Sequence, residues 1–186
     1  MRNIILIGMM GSGKSTVGRR LASVLGRPFV DADTVLERRC GVPISTIFEL
    51  EGEAGFRRRE AQLIAELAQP AGAVLATGGG VVLSADSRAL LHREGFVVYL
   101  QASVSDLWQR LRRDRGRPLL RTSDPRARIE ALVEQRDPLY RDTAHCVITT
   151  GRQPVDRTVN DILALLPADL AAAGPRPGDA PVTDAA

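Results

Sequence analysis

The segment Gly8-Met9-Met10-Gly11-Ser12-Gly13-Lys14-Ser15-Thr16 follows an apolar run and leads into a helical repeat. Its pattern, GxxxxGK followed by Ser or Thr, suits one chemistry. Glycines let a backbone wrap phosphate groups with its N–H donors pointing inward, and the following helix adds its dipole. Gly11, Ser12, Gly13 and Thr16 would line that cradle, Lys14 would reach the β and γ phosphates, and Ser15 would ligate Mg²⁺. Lys14 is the one lysine among 25 Lys and Arg residues. A chain that uses arginine nearly everywhere keeps lysine where a compact ammonium on a flexible stem is needed.

Two further groups could work beside such a loop. Asp31-Ala32-Asp33 closes the second apolar run. In an extended segment that spacing sends both carboxylates to one side, where one could hold metal-bound water and the other a substrate hydroxyl. The same pair could equally cap or solvate a turn. The third apolar run, Ala73 to Ala76, ends in Thr77-Gly78-Gly79-Gly80 rather than in an acid. No second lysine exists to build the Asn-Lys-x-Asp box with which GTP switches read guanine.

These residues need a scaffold. At 186 residues, with 44% hydrophobic and 25% charged, the chain fits a single globular domain. Strands are expected at Asn3–Gly8, Pro28–Asp31, Ala73–Thr77, Phe96–Leu100 and Cys146–Thr150. Helical patterns are expected at Lys14–Leu25, around Ser45–Leu50 and Gly55–Ala68, and at Ser87–Arg93, Val104–Arg113 and Arg126–Asp137. Strands alternating with helices predict an α/β fold with a parallel sheet covered on both faces. The folded domain is expected over 1–166, and the Ala, Pro, Gly and Asp mixture of 167–186 as a disordered tail. Cys40 and Cys146 form no CxxC and no cluster with His92 or His145, which argues against zinc. No apolar run is long enough for a membrane span, and the expected compartment is the cytoplasm.

Arg110 to Arg128 holds eight arginines: Arg110, Arg112, Arg113, Arg115, Arg117, Arg121, Arg126 and Arg128. They could form a solvated helix face, a nucleic-acid patch, or a lid over a nucleotide at about 112–124. A nucleotide-regulated RNA-binding module would want aromatics to stack bases, and the chain is 4% aromatic. Phe48 and Phe56 could wall a pocket or pack in the core, whereas Trp108, Tyr99 and Tyr140 read as packing residues. Glu60 could orient Arg57 from one helical turn away or form an ordinary surface pair with it.

Taken together, GMMGSGKSTVGRRLA at 8–22, DAD at 31–33, FRRRE at 56–60, TGGG at 77–80, RPLL at 117–120 and QRDPLYR at 135–141 resemble the shikimate kinase family. The resemblance implies a P-loop kinase of the nucleoside-monophosphate-kinase type, with five parallel strands in the order 2-3-1-4-5 and a lid. It implies ATP-dependent phosphorylation of the 3-hydroxyl of shikimate, with Mg²⁺. The expected working unit is a monomer that binds neither nucleic acid nor membrane. On that pattern Asp31 sits near the metal through water, and Asp33 takes the substrate hydroxyls and is the first candidate for the base. Arg57 and Arg136 grip the substrate carboxylate, with Gly78, Gly79 and Gly80 beside it. Arg117 meets the transferring phosphoryl group, and Arg110 and Arg152 contact adenine. A gluconate-type kinase or a nucleotide kinase would share the loop, but the carboxylate clamp suits a small polyhydroxy acid.

Overall fold

The computed structural model describes residues 1–69, 71–114 and 116–171. Five strands, β1 (Asn3–Ile7), β2 (Phe29–Asp31), β3 (Val74–Ala76), β4 (Gly95–Ala102) and β5 (Cys146–Thr150), form one parallel sheet in the order β2-β3-β1-β4-β5. The central strand β1 sets Ile5 opposite Leu75 on one side and Val97 on the other. Successive side chains of a strand face opposite ways, and both faces of β1 are apolar because both are covered. Ile4 and Leu6 pack under α1 (Lys14–Leu25) and α7 (Val155–Leu165). Ile5 and Ile7 pack with residues of α3 (Ile44–Leu67), α5 (Val104–Leu111) and α6 (Pro125–Thr143). Helix α4 (Ala85–Glu94) contributes Leu91 to the same layer.

Polar residues lock this frame where the chain enters and leaves. Asn3 is fully buried; its Nδ2 donates to the carbonyls of Leu67 (3.2 Å) and Gln69 (2.9 Å), and its Oδ1 accepts from the Ala71 and Ala73 N–H groups. The start of β1 is thereby tied to the connection between α3 and β3.

Three features differ from the sequence expectation. A helix, α2 (Ala32–Cys40), begins inside DAD, so only Asp31 is extended and Asp33 already lies in the first helical turn. Asp31 caps it, accepting from the Thr34 N–H (3.3 Å), so the strand ends at Asp31 as expected but the side-chain cap turns the rest of DAD into helix. Helix α7 was not anticipated, although Val155, Val159 and Ile162 recur at helical spacing. Finally, α8 (Ala168–Ala171) carries the fold past Leu166: Leu170 is fully buried and its carbonyl accepts from Arg27 Nη2 at 2.7 Å. The remainder of the expected tail, 172–186, lies outside the described residues, as does Arg115. The two helical patterns around Ser45 and Gly55 form one element with a break at Gly52, whose φ of 68° and ψ of −178° leave the helical region.

Candidate active site

The functional groups gather at the C-terminal edge of the sheet, where open parallel sheets place their ligands. The phosphate loop leaves β1 there and opens α1. Gly13, with φ of 102°, precedes the helix without a side-chain cap, so the first-turn N–H groups face outward with no internal acceptor to satisfy them. No acidic residue stands in that turn to compete for them. Lys14 bends back over the loop, its Nζ donating to the carbonyls of Gly8 (2.8 Å) and Met9 (2.9 Å). Burial pulls its pKa down to about 8, against the opposing pull of the Asp33 carboxylate.

A cavity of about 500 Å³ surrounds this loop. Gly11, Ser12, Gly13, Lys14, Ser15 and Thr16 line it, together with Asp31, Asp33, Arg110, Arg117, Gly151 and Gln153. The Ser15 hydroxyl donates to Asp31 Oδ2 at 2.6 Å, which sets two hard oxygen donors side by side. Among the described residues no group of three or more His, Cys, Asp or Glu could hold a metal ion. The Ser15 and Asp31 oxygens therefore suit a cation that brings most of its ligands as phosphate oxygens and water, the habit of Mg²⁺. Although α2 overturns the extended reading of DAD, Asp31 and Asp33 still line this one cavity, because the turn from strand into helix keeps them together.

A second cavity, about 290 Å³, adjoins the first. Arg57, Arg136, Glu60, Phe48, Phe56, Gly78, Gly79 and Gly80 contribute to its wall. Asp33, Gly79, Met10, Asp114 and Arg117 line both cavities, so the two meet at these residues. Arg136 is 2% exposed, and no carboxylate of the described residues lies within ion-pair distance of it. Burial lowers its pKa, and its Nη1 donates to the Gly79 carbonyl (3.2 Å) while Nε has no partner. Arg57 is held by Glu60 (2.7 Å) and Glu53 (3.1 Å); burial pulls its pKa down, but these carboxylates reverse the direction and raise it. Glu60 is itself buried, which sets aside the surface-pair reading. The glycines make room for these groups: a Cβ at Gly78 would strike Glu60 Oε1, and one at Gly80 would strike the Arg57 guanidinium. At Gly79 a Cβ would press on the Met10 nitrogen at 3.1 Å.

Asp33 stands at the junction, and burial raises its pKa despite the nearby Lys14 charge. Arg117 is tethered through Nε to Asp114 Oδ2 (2.8 Å), and Asp114 Oδ1 is in turn fixed by the Gly116 N–H. Arg110 spans the first cavity's edge, donating to the Gly11 (2.8 Å) and Gly151 (2.6 Å) carbonyls. Arg152 is exposed and lines neither cavity. Farther along the arginine-rich stretch, Arg121 reaches across to Glu49 of α3 at 2.8 Å. Phe48 and Phe56, with ring centroids 4.7 Å apart, wall the second cavity. Sequence reasoning missed Tyr140: its hydroxyl donates to the Gly79 carbonyl, and its position four residues after Arg136 on α6 was the available signal.

The family model described as shikimate kinase matches residues 10–167. A shikimate kinase of Burkholderia pseudomallei (strain 1710b) is 58% identical over 164 residues, covering 88% of this chain and 89% of the relative. Among solved structures, shikimate kinase from Acinetobacter baumannii in complex with shikimate is 46% identical, with a TM-score of 0.86, covering 89% of this chain and 92% of that one. A gluconokinase from Sinorhizobium meliloti, 20% identical with a TM-score of 0.54 over 88% of this chain and 90% of its own, shares the fold.

Proposed function

The chain belongs to the shikimate kinase family, and from that premise we infer which residues carry out its reaction, transfer of the γ-phosphoryl group of ATP to the 3-hydroxyl of shikimate. The observation that carries the assignment is the pair of adjoining cavities that share Asp33, Gly79 and Arg117. The first, built on the phosphate loop, takes ATP. The second takes shikimate, whose carboxylate answers the one need the second cavity leaves open, a counter-charge for buried Arg136 beside Arg57. Two planar guanidinium forks fix the acid in orientation as well as charge.

In the reaction the shikimate hydroxyl oxygen forms a bond to the γ phosphorus, the bond from that phosphorus to the bridging oxygen breaks, and ADP leaves. Asp33, with its pKa raised by burial, receives the hydroxyl proton. Lys14 turns from the Gly8 and Met9 carbonyls to the β and γ phosphates, and Arg117 neutralises charge on the moving group. Ser15 and Asp31 would hold Mg²⁺, which neutralises the phosphate oxygens when bound. Arg110 and the backbone of Gly11 to Thr16 shape the nucleotide site; Arg152, between the cavity-lining Gly151 and Gln153, is assigned to adenine although it lines neither cavity itself. Closure of the 112–124 segment, already bridged to α3 by Arg121 and Glu49, excludes water that would otherwise hydrolyse ATP. We propose that the enzyme works as a monomer. Among the described residues no helix is long and apolar enough to cross a membrane, and we assign the enzyme to the cytoplasm.

Steady-state kinetics of Arg57→Lys and Arg136→Lys test the clamp. Each is expected to raise the KM for shikimate by roughly 10- to 100-fold, since a lysine keeps the charge but not the bidentate fork. The KM for Mg-ATP should stay within about twofold. A raised ATP KM with an unchanged shikimate KM would show the clamp to be misplaced.

A further inference from the structure

We propose that Tyr140 is a positioning residue whose hydroxyl holds the Gly78-Gly79-Gly80 turn in the shape that the acceptor needs. The inference rests on the reading of the second cavity as the shikimate site.

Three consecutive glycines have no side chains to restrict their backbone, so the shape of this turn has to be imposed from outside. Its ends are held locally: Thr77 bonds the Leu6 carbonyl through both its N–H (3.2 Å) and its hydroxyl (3.1 Å), and the Val81 N–H donates to the Gly78 carbonyl (3.3 Å). The centre is held by two donors converging on one atom, the Gly79 carbonyl oxygen, which accepts from the Tyr140 hydroxyl and from Arg136 Nη1. Those two donors differ in what else they do. Arg136 also faces the cavity as half of the carboxylate clamp, so its hold on the turn competes with its hold on substrate. Tyr140 is fully buried, its ring stacks on Tyr99 at 4.8 Å, and only its hydroxyl reaches the turn. The same hydroxyl lies 3.7 Å from Met9 Sδ in the phosphate loop, and a Cβ on Gly79 would already crowd the Met10 nitrogen. Tyr140 thus clamps the floor of the acceptor cavity against the loop that presents the phosphate. With its hydroxyl gone, Arg136 alone must restrain the turn while binding the acid.

The test compares wild type with Tyr140→Phe, which keeps the ring and its stacking, and with Tyr99→Phe, which removes the hydroxyl of the neighbouring ring outside both cavities. Tyr140→Phe is expected to raise the shikimate KM by about tenfold, the scale of one buried hydrogen bond, with the Mg-ATP KM within about twofold. In 15N spectra the Gly79 and Gly80 amide signals should shift or broaden while Gly11 and Gly13 stay in place. Tyr99→Phe should match wild type in both KM values. An unchanged shikimate KM in Tyr140→Phe, equal rises for both substrates, or failure of that variant to fold would each overturn the proposal in favour of a purely structural tyrosine. Arg57→Lys, run alongside, separates the two levels: if it raises the shikimate KM and Tyr140→Phe does not, only the positioning role falls. If neither moves it, the acceptor-site reading falls and takes the positioning role with it.

Discussion

Replacing Lys14 with methionine is expected to lower kcat by about three orders of magnitude or more, because the one ammonium aimed at the transferring phosphates is lost. Methionine matches the stem but carries no charge, so the fold is expected to persist. Shikimate binding should survive too, since no atom of Lys14 lines the second cavity. The titration of the same group supplies an independent signature. With a pKa lowered to about 8, Lys14 loses its proton within the working range, and the charged form is the one that binds phosphate. The kcat/KM for Mg-ATP is therefore expected to fall as pH rises through about 8. Bound phosphates stabilise the ammonium, so the corresponding limb of kcat should lie at higher pH. A Lys14→Met protein with turnover near wild type would remove the phosphate-loop assignment. An alkaline limb that persisted in a residually active Lys14→Met would assign that limb to another group.

Asp33→Asn is the second large effect, with kcat expected to fall by about 10²- to 10³-fold and the Mg-ATP KM little changed. Asparagine fills the same space and can still bond a hydroxyl, but it cannot accept the proton. The variant also removes the carboxylate that supports the Lys14 charge. Its alkaline limb in kcat/KM for Mg-ATP should consequently move to lower pH than in wild type. A kcat near wild type would exclude Asp33 as the base, leaving Asp31 and Asp114 as the carboxylates on the first cavity. Asp31→Asn would then test the Asp31 carboxylate separately, and there the account expects a higher Mg²⁺ requirement rather than loss of the proton acceptor.

The phosphate loop was legible because its requirements are local: a strand, glycines that free the backbone, and a lysine at fixed spacing before a helix. The sheet order was legible through resemblance, and the observed β2-β3-β1-β4-β5 agrees. The geometry of DAD was not, since an aspartate that ends a strand and one that caps a helix look alike until the capped helix is seen. Here the first carboxylate does both. Tyr140 was hidden for a different reason. A buried aromatic at helical spacing reads as core, and its ring is core; only the three-dimensional approach of the Gly79 carbonyl gives its hydroxyl a task. Glu60 was ambiguous in sequence because an i,i+3 pair carries no record of depth, and its burial beneath Gly78 decided the matter. The eight arginines of 110–128 were likewise inseparable by composition. Arg117 joins the two cavities, Arg110 braces the phosphate loop and Arg121 bridges to Glu49, while Arg112, Arg113, Arg126 and Arg128 are exposed.

The most direct test of the central claim, that the joined cavities pass phosphate from ATP to shikimate, is ADP release from Mg-ATP measured with shikimate, gluconate, AMP, CMP or no acceptor. The account predicts rapid release with shikimate alone and background rates with the others. Equal release without acceptor, or turnover with gluconate or a nucleotide but not with shikimate, would contradict it.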